Sequence, residues 1–300
     1  MKPLTVGILL AAGLLVISCK EKTGAAGGPA SGGAAVAKAD GHVLAKKEAL
    51  PPVGKVLTKE STMEMKDAVL DIEAAGQKMN GTMSRKDTKV ETFEALGATK
   101  IRRTLVSNTN DGKMVMNGQE QPTPAPADPL VGLPVIIEKK EGTWTAALES
   151  GTATPDQTTA LDKVAKEMTK NDDFIIFGDK PRKPGDKWSV DPKSLGTFGE
   201  AEGLSGTFDV EFVEVKDVQG VSCAVIKTVF DVTGKTSSNG GEPGMTMTLK
   251  GEALANRSLA DLIDGDSKID SSVLIEGSPA SQVQMTAKGP MTMTTKSTLK

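Results

Sequence analysis

The sequence predicts a mostly β fold: an antiparallel curved sheet or half-barrel, compatible with an internal duplication, with one short helix at about 155–170. Three observations predict it. Beyond Val53, apolar and polar residues alternate with period two in run after run, and Gly, Asn and Asp punctuate the runs. A single stretch has its apolar residues at helical spacing. Tyr is absent and aromatics make up 3%, so interior faces have to be built from Val, Leu, Ile and the 13 Met.

Taken in order, residues 1–18 contain Lys2 and an apolar run from Leu4 to Ile17, the charged and hydrophobic regions of an export signal. The run is too short to span a bilayer. Its end, Leu14-Leu15-Val16-Ile17-Ser18-Cys19, places a small residue before a cysteine with aliphatic residues upstream, and it resembles the lipobox of bacterial lipoproteins. That resemblance implies a signal peptide cut before Cys19, acylation of Cys19 with palmitate-type chains, and attachment to a membrane through the lipid. Two or three acyl chains hold a protein stably where one does not, at about 0.8 kcal/mol per buried methylene. Lys20 stands where Gram-negative lipoproteins retained at the inner membrane carry Asp. The resemblance therefore implies the outer membrane, with the periplasmic or surface face undetermined.

Residues 19–52 read as the lipidated cysteine and a Gly/Ala-rich tether, a composition that buries too little apolar surface to order itself. His42, the only histidine, falls in this spacer, and Pro51-Pro52 closes it. The β-rich domain is expected over 53–300, with candidate halves 53–153 and 178–300 joined by the helix. Strands are expected over Lys55 to Ala68, Gln77 to Phe93, Thr99 to Ser107, Lys113 to Asn117, Val135 to Lys139 and Thr143 to Leu148. A second set covers Gly206 to Val215, Val221 to Val232, Met245 to Gly251, Ser267 to Ile275, Gln282 to Ala287 and Met291 to Leu299. Asn110-Asp111-Gly112 and Asp264-Gly265 have the chemistry of hairpin turns, and Pro122 to Pro129 reads as a connector. Thr154-Pro155-Asp156-Gln157 is a capping-box start signal. After it Ala160, Leu161, Val164, Ala165 and Met168 share one helical face, with Lys170 and Asn171 at the end. Val90, Glu91, Gly97 and Gly142 recur as Val213, Glu214, Gly220 and Gly265 at one constant offset, the observation behind the duplication.

The joining segment ends in Lys183-Pro184-Gly185-Asp186-Lys187-Trp188. This phrase resembles a Lys-Pro-Gly-Asp-x-Trp motif of β-rich bacterial envelope lipoproteins of uncharacterised function. It implies a β-rich fold and brings no catalytic residue with it. Pro184-Gly185 suits a turn, Asp186 suits a side-chain bond to backbone, and Trp188 suits an anchor at the start of a strand.

Charge excludes some classes and absence excludes others. Lys+Arg 36 against Asp+Glu 39 gives a net −3, with no footprint for nucleic acid or anionic lipid. With Cys19 taken by lipid, Cys223 has no disulfide partner, and its apolar strand-like surroundings suit a buried thiol. A domain without histidine is closed to Ser-His-Asp and Cys-His catalysis, Asp172-Asp173 would diverge on an extended backbone, and no nucleophile elbow occurs. The expectation is a protein that is not an enzyme and needs no cofactor.

The unusual feature is methionine spacing: Met63 with Met65, Met114 with Met116, Met245 with Met247, and Met291 with Met293. In a strand, residues two apart share a face, so each pair presents both sulfurs to one side. One reading is adaptable filler in an ordinary core. A second is a soft apolar face that holds an acyl chain, another apolar ligand or an envelope partner. A third is thioether binding of Cu(I), with no His or Cys nearby to help. Asp261, Asp264, Asp266 and Asp270 form a weak candidate for Ca²⁺, since they lack the order of an EF-hand loop. The function expected is non-enzymatic binding by a lipid-anchored envelope protein. The alternative is a structural or interaction lipoprotein with a filled core and no ligand.

Overall fold

The computed structural model describes residues 41–47, 51–121, 123, 127–169, 171–196, 198, 201–236, 244–280 and 282–300. The expected signal peptide, the expected lipobox with Cys19 and most of the expected tether lie outside the described residues. The strands are β1 (Val56–Ala74), β2 (Gln77–Gly97), β3 (Lys100–Met116), β4 (Gln119–Gln121), β5 (Pro134–Lys140) and β6 (Thr143–Leu148) in the first half. The second half contributes β7 (Lys187–Ser189), β8 (Glu202–Val218), β9 (Val221–Thr236), β10 (Met245–Ser258), β11 (Asp264–Ala280) and β12 (Val283–Leu299). Helices α1 (Pro155–Glu167) and α2 (Asp172–Phe177) lie between the halves.

All these strands form one curved open antiparallel sheet in the order β6-β5-β3-β2-β1-β12-β11-β10-β9-β8-β7, with β4 paired to the end of β3. The first and last long strands are therefore neighbours at its middle. Its two edges, β6 and β7, follow one another in sequence and are joined by the helical segment. The chain runs round the sheet as in an up-and-down barrel, and the helices occupy the connection across the open seam.

The strands are longer than the alternation suggested. Thr99 to Ser107 and Lys113 to Asn117 belong to the single strand β3, and Asn110-Asp111-Gly112 is strand rather than turn. Asn110 sits opposite Asp87 and donates to its carboxylate, which holds it in the ladder. Likewise Gln282 to Ala287 and Met291 to Leu299 merge into β12 through Gly289-Pro290. These inner-face glycines accommodate curvature. A Cβ on Gly289 would stand 2.6 Å from that of Ala68, and one on Gly251 would meet the Asp270 carbonyl, so neighbouring backbones approach too closely there for any side chain.

Helix α1 begins as its capping box requires: Thr154 accepts from the Gln157 amide at 3.3 Å, and the Gln157 side chain accepts from the Thr154 amide at 2.9 Å. It ends at Glu167, and Leu161 and Val164 pack on Ile101, Val135 and Ile137 of β3 and β5. Asn171 caps a second helix, α2, accepting from the Phe174 amide at 3.1 Å. Asp172 and Asp173 thus lie in a helical first turn rather than on extended backbone.

Residues 41–47 belong to the fold, so the packed region starts before Val53 and includes His42. His42 and Arg182 exchange two backbone hydrogen bonds of 2.7 and 2.8 Å, and the histidine ring lies edge-on to Phe212 at 6.0 Å. Leu44 and Ala45 are buried in the main core. Trp188 is the anchor its motif suggested: it lies against Phe177, stacks under Arg182 at 4.3 Å and donates to the Ile176 carbonyl at 2.6 Å. Asp186 accepts from the Lys183 amide at 2.8 Å across the Pro184-Gly185 turn. Of the residues behind the duplication, Gly97 and Gly220 both fall at hairpin ends, and Gly142 lies in the β5–β6 turn, whereas Gly265 is in strand β11.

Candidate functional site

Register decides which side chains share the inner face, because residues directly opposite on antiparallel strands point the same way. Met63 stands opposite Met293 and Met65 opposite Met291 across β1 and β12. Towards the hairpin end, Met114 is opposite Met83, Met116 opposite Gly81, Met247 opposite Ile275, and Met245 opposite Gly277. Leu70 links Gly81 to Ala287, and Ile72 links Met79 to Met285. All four sequence pairs therefore meet on one face, and of the 12 methionines among the described residues only Met168 lies off it.

The face is graded in exposure. Met63, Met65, Met83, Met116, Met285, Met291 and Met293 are buried, Met65 to 2%. Met79, Met114, Met245 and Met247 are half-buried, packed against the same cluster at the end where the β1–β2 hairpin turns. The contacts that pin the helices fall at the other end of the strands. There the sequence reading missed a buried ion network.

At its centre Arg257 is fully buried. Its guanidinium donates to Asp264 at 2.9 Å, to Asp173 of α2 at 2.6 Å and to the Leu44 carbonyl at 2.6 Å, and it lies 4.5 Å over the Phe177 ring. Burial holds the Asp264 carboxyl above its usual range against the pull of Arg257. Beside it Glu91 accepts from Arg103 at 2.8 Å and pairs with Lys89 at 3.0 Å, while Arg103 reaches Glu167 of α1 at 3.6 Å. Burial would raise the Glu91 carboxyl, but Arg103, Lys89 and Lys59 together bring it down to about 2. Burial lowers the Lys59 ammonium to about 8, with Glu91 opposing. A signal for these residues existed: Lys59 is in phase with Leu57, Met63 and Met65, and Glu91 with Phe93.

The aspartate set does not converge. A register shift next to Arg257 turns Asp264 inward, so it is no hairpin turn, while Asp266 and Asp270 are exposed and Asp270 pairs with Lys268 at 2.7 Å. Among the described residues no group of three or more His, Cys, Asp or Glu is placed to hold a metal ion. Cys223 is a buried thiol in β9. A cavity of about 330 Å³ lies beside Gly41, His42, Val43, Lys46, Leu259, Ala260 and Leu262, and no methionine lines it.

The outer face is of opposite character. Lys227 pairs with Glu252 and Lys250 with Asp231, both at 2.8 Å, and Thr62, Thr88, Thr109 and Thr294 form a ladder between such rows. Charges across the middle of long strands suit water rather than lipid tails. No described helix is long and apolar enough to cross a membrane.

No family model matches the chain. No curated protein matches it either. Among solved structures, one of lipovitellin, described in terms of lipid–protein interactions, is similar over 84% of this chain and 26% of its own, with TM-score 0.42 and 7% identity. A DUF1329 family protein from Desulfovibrio piger is similar over 76% of this chain and 82% of its own, with TM-score 0.15 and 11% identity. An outer membrane channel from Pseudomonas putida F1 is similar over 84% of this chain and 98% of its own, with TM-score 0.23 and 7% identity. The chain spans about a quarter of the lipovitellin chain it matches. At these values the likenesses carry no argument about function, and the residues have to carry it.

Proposed function

We propose that the chain is a lipid-anchored protein of the bacterial envelope, held through Cys19, that binds the hydrocarbon part of an apolar ligand or an envelope partner without catalysis. The observation that carries this is the gathering of the methionines on one sheet face, with Met79, Met114, Met245 and Met247 half-exposed at the end away from the helices. Unbranched thioether side chains adapt to an irregular apolar guest at little cost in packing. Outer-membrane attachment rests on Lys20 after the lipobox, and the charged outer face supports a sheet that stays in water.

A second reading has its own observation. The low exposure of Met65 and its neighbours favours a filled core, hence a structural or interaction lipoprotein with no ligand. Native mass spectrometry of the full chain carrying Cys19→Ser, purified from a bacterial envelope, separates the two. A stoichiometric lipid, lost on Met247→Asp, is the result expected from the binding reading. A clean apo mass, unchanged by added phospholipid or fatty acid, overturns it in favour of the filled core. Labelling of the unmutated chain with radioactive palmitate, absent in Cys19→Ser, checks the anchor.

A further inference from the structure

The two most buried methionine pairs make an arrangement that apolar binding at the rim does not use. Met63 faces Met293 and Met65 faces Met291 in uninterrupted register, with Met63 and Met65 two apart on β1 and Met291 and Met293 two apart on β12. Directly opposite Cβ atoms stand about 5 Å apart, and residues two apart along a strand are separated by about 7 Å. Four thioethers thus spring from the corners of one small rectangle on one face. Each has three rotatable torsions, enough to bring the sulfurs to a common point. We infer that Met63, Met65, Met291 and Met293 form a binding site for a soft monovalent cation, Cu(I) or its analogue Ag(I).

The chemistry of the block favours that class over others. Neutral thioethers bind hard cations such as Ca²⁺ and Mg²⁺ poorly and select soft ones. All four are buried, so water competes little for the metal. On β2, Asp87 stands opposite Met63 and Arg85 opposite Met65, and the two pair with each other at 2.7 Å, so the block is flanked by a neutral ion pair and the thioethers alone select the cation. Binding requires neither proton release nor electron transfer, since the metal enters and stays as Cu(I).

The test is a titration of the full chain carrying Cys19→Ser with Cu(I) supplied as its bicinchoninate complex, under reducing conditions. One equivalent should be withdrawn. Met→Leu nearly conserves volume, so M63L/M293L should fold with an unchanged circular dichroism spectrum yet bind at least about tenfold more weakly. Met285→Leu, a buried methionine outside the block, and Cys223→Ala should both retain the metal. No withdrawal of Cu(I), or equal withdrawal by M63L/M293L, overturns the site. Loss in Cys223→Ala alone overturns it by moving the metal to the thiol. None of these outcomes depends on whether a lipid is found at the rim.

Discussion

The guanidinium of Arg257 donates a 2.6 Å hydrogen bond to the carbonyl of Leu44, tying the hairpin between β10 and β11 to a segment near the start of the described chain. The same guanidinium pairs with both Asp173 and Asp264. Arg257→Met would leave both carboxylates buried beside an apolar chain and should destabilise the fold by about 3–5 kcal/mol in urea unfolding. Adding Asp173→Asn and Asp264→Asn should recover much of that loss, because the stranded charges go with the arginine. Equal stability of the single and triple variants would argue against a network acting as one unit.

Leu44 is fully buried although it follows a tether-like sequence. Leu44→Ala should cost about 2–5 kcal/mol, as for a core leucine elsewhere. A change under about 0.5 kcal/mol, the size seen at exposed sites, would show that residues 41–47 only rest on the surface.

Two residues of the ion network, Glu91 and Lys59, each set a window of pH dependence. Glu91, at about 2 in the fold against an ordinary 4.5, contributes stability that is fully present above pH 4.5 and is lost as pH falls towards 2. Lys59, at about 8 against 10.5, works in the other sense. Between pH 8 and 10.5 the unfolded chain binds more protons than the folded one, so stability rises across that interval. Urea midpoints against pH should show both slopes; Glu91→Gln should flatten the acidic one and Lys59→Met the alkaline one.

Curvature makes a prediction of its own. Gly289→Ala places a methyl group 2.6 Å from Ala68 Cβ and should cost about 1–3 kcal/mol. Ala68→Gly in the same chain should restore part of it. A double variant no better than the single one would mean that backbone strain, rather than this contact, sets the cost.

Much of the fold was legible because its signals are local. Period-two alternation located the strands, and Thr154 to Gln157 marked the start of α1 to the residue. What escaped depends on partners far away in sequence. Asn110-Asp111-Gly112 has turn composition, and its pairing with Asp87, Lys86 and Arg85 on the neighbouring strand keeps it extended. Leu44 follows a long Gly/Ala-rich run, and nothing beside it announces that Arg257 will bind its carbonyl. Helix α2, at six residues, is too short for periodicity to register. Of the candidate site, alternation predicted that each methionine pair would share a face. That all four pairs would share the same face depends on register, which no single strand contains.

The adjacency of β1 and β12 governs how the chain can be delivered as well as how it rests. In synthesis from the N-terminus, Leu57 emerges well before its partner Leu299. Until then β1 presents a free edge to every other strand in the compartment. Removal of β12 would therefore leave the sheet split at its middle rather than frayed at its rim.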